Sequence, residues 1–392
     1  MTNEFDVVRD RRHSNSVKWD GLKALYGEED LLAMWVADMD FDPAPAIRER
    51  LTNVVANQVL GYAKPSDHFY ETYINWQKEQ HQIELNEKEI LLSPGVVGSI
   101  GVLIQSFTEQ GDGVLIHDPA YNGFTPIIED NKRQLHRSPL RIEDGKFRMD
   151  YKDIECQMKQ NNIKLFLLSN PHNPGGRVWS REELVQLIEL CMKYDVLLVS
   201  DEIHSDLIYS NYKMTSAYTL DEKYFNHIVV LHSVTKTFNI AGVKISTILV
   251  KDEVLRKRIK EVQSYSQQNT INSFGLVAME AAFGHSQEWH KKLLMYLEDN
   301  RNFIMDYFDK YLPEVEYMVP ESTYLMWFNA ATTGYSGAEL NQHFVKEGRI
   351  ALVNGLKYGE SSPTWTRLNF GTSRSTLEDG LNRIKDAFES VK

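Results

Sequence analysis

The sequence predicts an α/β fold: a mostly parallel sheet with helices on both faces, a three-layer α/β/α arrangement, followed by a smaller α+β unit. Three observations predict it. From about residue 90 onward, short apolar runs alternate with amphipathic segments, the pattern of a sheet whose strands are joined by crossover helices. Those runs are too continuously apolar to have one wet face, so both faces must be covered. At 392 residues the chain also exceeds the length at which a single core usually stops growing. A second unit is therefore expected.

In chain order, the first 45 residues carry few helix or strand signals, and Pro43 and Pro45 separate them from the next helix. They are expected to drape over the smaller unit. Candidate strands follow at residues 90–92, 114–117, 165–169, 196–200, 228–232 and 245–250. One crossover is legible in detail. Ser180 and Glu183 form a capping box, and Leu184, Leu187, Ile188, Cys191 and Met192 then recur at helical spacing. Asp195 breaks the pattern before Val196-Leu197-Leu198-Val199, so a strand, a helix and a parallel strand are expected. Residues 287–311 read as one long helix, and the end of the chain mixes short strands with a terminal helix over 377–391. The expected division is an N-terminal segment, 1–48, belonging to the small domain, a large domain, 49–286, and a C-terminal small domain, 287–392.

Composition excludes several classes. Against 43 basic residues stand 55 acidic ones, a net charge of −12, which argues against a phosphate-backbone binder such as a nucleic-acid protein. The N-terminus is polar and charged, and nowhere do 18 uncharged apolar residues run together, so no membrane partner and a cytoplasmic location are expected. Two cysteines, Cys156 and Cys191, are too few for a disulfide framework and are expected as reduced core thiols. No metal site is expected.

In open α/β sheets, ligands bind beyond the carboxyl ends of the strands. After residues 90–92 comes Gly95-Val96-Val97-Gly98-Ser99-Ile100-Gly101, a glycine-rich helix start whose free N–H groups suit a phosphate. Its spacing is not GxGxxG, which disfavours a dinucleotide. After 114–117 comes Tyr121, an aromatic face, and after 165–169 comes Asn170-Pro171-His172-Asn173, whose turns leave Asn173 free to donate. After 196–200 comes Asp201, a carboxylate that needs a cation, either a basic side chain or a protonated ring nitrogen. After 228–232 comes Lys236, flanked by Ser233, Thr235 and Thr237 with Lys244 eight residues on. A desolvated lysine near a second cation becomes nucleophilic. Taken one at a time these residues have ordinary structural explanations, but together they match the phosphate, ring face, phenolic oxygen, ring nitrogen and aldehyde of pyridoxal 5'-phosphate.

With those residues in hand, the chain resembles the fold-type I pyridoxal-phosphate enzymes of the aspartate aminotransferase superfamily over nearly its whole length. The motifs are Asn173-Pro-Gly-Gly, Asp201-Glu-Ile-His, Ser233-Val-Thr-Lys236 and Arg367-Leu-Asn-Phe-Gly. Within it the chain is similar to the cystathionine β-lyase and cysteine-S-conjugate β-lyase branch, also called aminotransferase-like C–S lyases. That likeness rests on Asn15-Ser-Val-Lys18-Trp19-Asp20, Met34-Trp35-Val36-Ala37-Asp38-Met39-Asp40-Phe41, Lys236-Thr-Phe-Asn-Ile-Ala-Gly and Thr323-Tyr-Leu-Met-Trp327.

The resemblance implies that Lys236 carries the cofactor aldehyde, that Asp201 pairs with the pyridine nitrogen and that Tyr121 stacks on the ring, these three being the catalytic set. It implies that Asn173 meets the phenolic oxygen and that Gly95, Val96, Val97, Ser233 and Thr235 hold the phosphate. Tyr62 would reach the phosphate of a neighbouring subunit, which makes the chain a homodimer. Arg367 would take the substrate α-carboxylate, with Ala37, Tyr121 and Asn173 beside the substrate. Two positions depart from the pattern: His204 stands where a tyrosine is usual, and Lys244 where an arginine is usual, both toward the cofactor. The implied activity is β-elimination from cystathionine or a related cysteine S-conjugate, giving a thiol, pyruvate and ammonia. An aminotransferase is the alternative within the family, and a regulatory or interaction protein retaining the fold is the alternative outside enzymology. Trp35, Tyr121, Tyr324 and Trp327 are candidates for shaping the pocket.

Overall fold

The computed structural model describes residues 3–392. Its main sheet has seven strands: β1 (Ile90–Ser93), β2 (Gly113–Asp118), β3 (Gln134–Pro139), β4 (Ile163–Ser169), β5 (Leu197–Asp201), β6 (Ile228–His232) and β7 (Ser246–Leu249). They lie in the order β1-β7-β6-β5-β4-β2-β3. All pairings from β6 to β3 are parallel, whereas β7 runs antiparallel to both β1 and β6. The sheet is thus mostly parallel, and the carboxyl ends of β2, β4, β5 and β6 open on one side.

Alternate residues of each central strand enter different cores, which explains why the runs are apolar without interruption. Val114, Leu165, Val199 and Leu231 pack with Ile100, Leu103, Ile259 and Val262, from the helices Val96–Phe107 and Glu253–Tyr265. Leu115, Phe166, Leu198 and Val230 pack on the other face with Tyr73, Trp76, Leu184, Leu187 and Leu276. The capping box at Ser180 forms as read, with the helix spanning Arg181–Lys193, and β4 pairs parallel with β5.

A second sheet of four short strands follows: Tyr317–Met318, Leu325–Asn329, Val353–Asn354 and Trp365–Asn369. It is antiparallel and packs with the helices Gln287–Tyr311, Gly337–Lys346 and Arg374–Glu389. The N-terminal segment reaches this unit through Leu32–Ala33, which pairs with Ile350–Ala351 in a separate two-stranded sheet.

Several local expectations need correction. Cys156 is exposed, not a core thiol, because Ile154 and Met158 already fill the buried face of the helix Tyr151–Gln160; Cys191 is buried as expected. The edge strand β3 has no counterpart in the sequence reading, since its pattern is largely half-exposed. The first 45 residues also hold two short helices, Val17–Asp20 and Leu22–Tyr26.

Candidate active site

Lys236 lies on the short helix Val234–Thr237, directly after β6. Ser233 caps that helix by accepting from the Thr235 N–H, and its hydroxyl also donates to the Ile245 carbonyl at 2.7 Å. The Lys236 amine donates to the Ala37 carbonyl at 2.5 Å, and the Tyr324 hydroxyl donates to the same oxygen at 2.9 Å. Burial lowers the Lys236 amine to about 8, with Asp38 and Asp201 pulling it up and Arg367 pushing it down.

Asp201 ends β5, buried, and the one hydrogen bond to its carboxylate among the described residues comes from the Ile203 N–H at 3.2 Å. Among the described residues no basic side chain forms an ion pair with it. Burial, with Glu202 beside it, pushes its carboxyl up to about 7. Arg367, on Trp365–Asn369, is equally buried and equally uncompensated. Its guanidinium donates to Asn173 Oδ1 at 3.1 Å and to the Trp35 carbonyl at 2.7 Å, lies 5.1 Å from the Tyr358 ring centre, and leaves Nε without a partner. A buried cation held only by neutral acceptors is a ready receptor for a carboxylate.

The helix Val96–Phe107 begins at Gly95, whose φ of +126° suits glycine, and no side chain caps it. Ser99 meets Ser246 across 3.0 Å, so this uncapped end lies beside the Ile245–Ser246 backbone that Ser233 also touches. Gly95, Val96, Val97, Ser233 and Thr235 are therefore gathered around one place. Lys244 adjoins it, exposed and in left-handed backbone at φ 47°. The buried His204 ring has an unpartnered Nδ1, and burial, with Lys236 and Arg367 nearby, takes it down to about 3. Tyr62 is fully exposed and is not brought to the site within one chain.

Trp35, Ala37, Tyr121, Lys236, Tyr358 and Arg367 line one cavity of about 430 Å³. Tyr121 keeps its place because residue 123 is glycine: a Cβ there would come 2.5 Å from the tyrosine ring. Trp327 is not a wall residue; it packs behind, parallel to Trp365 at 5.7 Å. Tyr324 acts through the Ala37 carbonyl. Tyr26, at the end of the short helix Leu22–Tyr26, and Tyr358, in the turn after Gly355–Lys357, line the cavity unforeseen, since no sequence period marks either stretch.

Two asparagines place the Ala37 carbonyl. Asn369 donates to the carbonyls of Val36 and Asp38 at 2.5 and 2.6 Å, and Asn239 donates to Met39 and Phe41 while accepting from the Met39 N–H. Lys18, buried, pairs with Asp40 at 2.7 Å, and Arg11 with Asp38 at 2.8 Å. The separate motifs around residues 18, 38, 239 and 369 are thus one clamp on one loop.

These groups fit a phosphopyridine aldehyde. A carboxylate short of a cation, an amine of lowered basicity and an uncapped helix start stand where the ring nitrogen, aldehyde and phosphate of such a group would be met. A family model described as aminotransferase class I and II matches residues 29–384. The chain belongs to the aminotransferase class I and II family. Among its relatives, cystathionine beta-lyase PatB of Bacillus subtilis (strain 168) is 38% identical over 383 residues, covering 98% of this chain and 99% of its own length. Cystalysin from Treponema denticola, solved with pyridoxal 5'-phosphate, has a TM-score of 0.96 at 28% identity, covering 100% of both chains. The PLP-bound C–S lyase from Staphylococcus hominis has a TM-score of 0.92 at 29% identity, covering 99% of this chain and 98% of its own.

Proposed function

We propose that this family member is a pyridoxal-phosphate-dependent carbon–sulfur lyase that cleaves cystathionine or a related cysteine S-conjugate by β-elimination. The observation that carries the reading is the convergence of the buried Asp201 and Arg367 with the half-buried Lys236, none of which has an opposite-charge ion-pair partner among the described residues, around a single site. The full-length likeness to PatB and to the C–S lyase of S. hominis supports the reaction type.

When bound, pyridoxal phosphate supplies an aldehyde that captures amines and a protonated ring that withdraws electrons from the substrate Cα. Asp201 would face the ring nitrogen and hold its proton, which would also give the buried carboxylate the cation it lacks. Tyr121 would cover one face, while Asn173 and His204 would be the groups toward the phenolic oxygen. The amides of Gly95, Val96 and Val97, with Ser233 and Thr235, would hold the phosphate, with Lys244 at its rim. Arg367 fixes the substrate α-carboxylate, which turns the Cα–H bond toward Lys236. With its amine free, Lys236 Nζ would remove the Cα proton. The electron pair freed at Cα would form the Cα=Cβ bond as the Cβ–S bond breaks, the sulfur would leave as a thiolate and take a proton to become the thiol, and the enamine would hydrolyse to pyruvate and ammonia.

Among the described residues no helix is long and apolar enough to cross a membrane. The free thiols of Cys156 and Cys191 suit a cytoplasmic home. The chain works as a homodimer in this reading, because Tyr62 can serve a phosphate only in a neighbour. Incubation of the holoenzyme with cystathionine and no keto acid tests the reaction. Pyruvate and homocysteine in equal amounts are expected; product only after a keto acid is added would make the protein an aminotransferase instead.

A further inference from the structure

The cavity holding Lys236 and Arg367 does not end at them. Leu25, Tyr26, Asn341, Asn354 and Lys357 also wall a second cavity of about 490 Å³, which contains neither reacting residue. The two form one groove leading away from the reacting end, across the turn at Gly355–Lys357.

The groove is one-sided in charge. The chain has 55 acidic residues, yet none is on the walls of either cavity. Apart from Lys236 and Arg367, its one cationic side chain is Lys357. Among the described residues Lys357 has no ion-pair or hydrogen-bond partner, unlike Lys18 and Lys146, which hold Asp40 and Glu321. The turn that presents it is fixed: Asn354 accepts from the Leu356 N–H at 2.8 Å, and its amide donates to the Gly337 carbonyl. Asn354 is therefore spent on structure, whereas the amide of Asn341 has no hydrogen-bond partner among the described residues and can meet a ligand.

A thioether anchored by its α-carboxylate at Arg367 sends its S-substituent along this groove. A terminal ammonium would find cations and no carboxylate, and an alkyl terminus would leave Lys357 unpaired. A carboxylate would pair with it. We infer that Lys357, aided by Asn341, is a specificity-determining residue that selects cysteine S-conjugates whose S-substituent ends in a carboxylate. The inference rests on the lyase reading of the same site. Because Lys357 is exposed, its contribution is screened by salt.

The test compares S-(2-carboxyethyl)-cysteine with S-(2-carbamoylethyl)-cysteine, which match in length and differ in charge, on the holoenzyme. At low salt kcat/KM favours the carboxylate by about tenfold, mainly through KM, and the ratio shrinks as salt rises. In Lys357→Met the ratio collapses to within about threefold, and Lys357→Arg preserves it. A wild-type ratio near one, or an undiminished ratio in Lys357→Met, overturns the inference. Pyruvate from the carbamoyl compound checks the lyase reading separately. If neither compound yields pyruvate, that reading fails, and calorimetric binding of the two α-methyl analogues, which have no Cα proton, still decides the role of Lys357.

Discussion

Asp201 sits where folding alone would not put it. Its carboxyl rises from an ordinary 3.8 to about 7 because burial penalises the anion, so the native state binds that proton more tightly than the unfolded chain does. Stability of the cofactor-free protein is therefore lost as pH rises from about 4 to about 7, and the full cost is present above that. Asp201→Asn removes the anion but keeps the shape. Cofactor-free Asp201→Asn should melt higher than the wild type at pH 8, by roughly 2–4 kcal/mol in denaturant titrations, with the gap closing toward pH 4. The same substitution should lower turnover by on the order of 10²- to 10³-fold, since nothing then holds the ring-nitrogen proton. Equal stability at pH 8 would show that the carboxylate is compensated in solution. At Gly123 the logic is steric: Gly123→Ala places a methyl against the Tyr121 ring and should weaken cofactor retention, read as loss of the visible absorption band on dialysis.

Behind the lysine helix, Asp206 ties separate elements together. Trp76 and His81, both on the helix Asp67–His81, reach its Oδ1 at 2.9 and 2.7 Å, while His232 at the end of β6 and Thr237 beside Lys236 reach Oδ2 at 3.2 and 3.3 Å. Burial opposes its ionisation, but His81 and His232 hold its carboxyl well below the usual range. Asp206→Ala strands those donors and should cost about 3–5 kcal/mol in unfolding free energy, while Thr237→Val, which loses one long hydrogen bond, should cost less than about 1.5 kcal/mol. A small loss in Asp206→Ala would mean that the network carries little of the fold. Nothing in the local pattern marks Asp206, because its contacts to residues 76, 81 and 232 are set by the crossover. What was legible followed the same rule. The Arg181–Lys193 helix could be read because its cap and apolar period are local, and Lys236, Asp201 and Asn173 because strand ends mark them. The strand Gln134–Pro139 carries no apolar run, and the helices Val17–Asp20 and Leu22–Tyr26 are too short to show a period. Lys18, Asn239 and Asn369 were visible as motif letters, but their joint clamp on the Ala37 loop appears only in three dimensions.

For the molecule as a whole, the surface around residues 55–62 exposes a run of apolar side chains. Val55 and Leu60 are more than half exposed, Val59 is 94% exposed and Tyr62 fully so, on a helix end and the irregular segment after it. Clustered apolar side chains of this kind mark an interface. In a twofold pair each chain would lend Tyr62 to the other's phosphate cradle, so assembly and cofactor binding would stabilise each other. Two substitutions separate the effects. Val59→Asp places a charge in the interface and should shift sedimentation toward monomer, with cofactor loss that worsens on dilution. Tyr62→Phe removes only a hydroxyl, so it should sediment as the wild type does while releasing cofactor faster, by roughly tenfold in retention if one charge-assisted hydrogen bond is lost. Unchanged retention in Tyr62→Phe would remove the tyrosine from the phosphate site. A wild type that sediments as a monomer with full cofactor would remove the shared site altogether, leaving the exposed segment to some other contact.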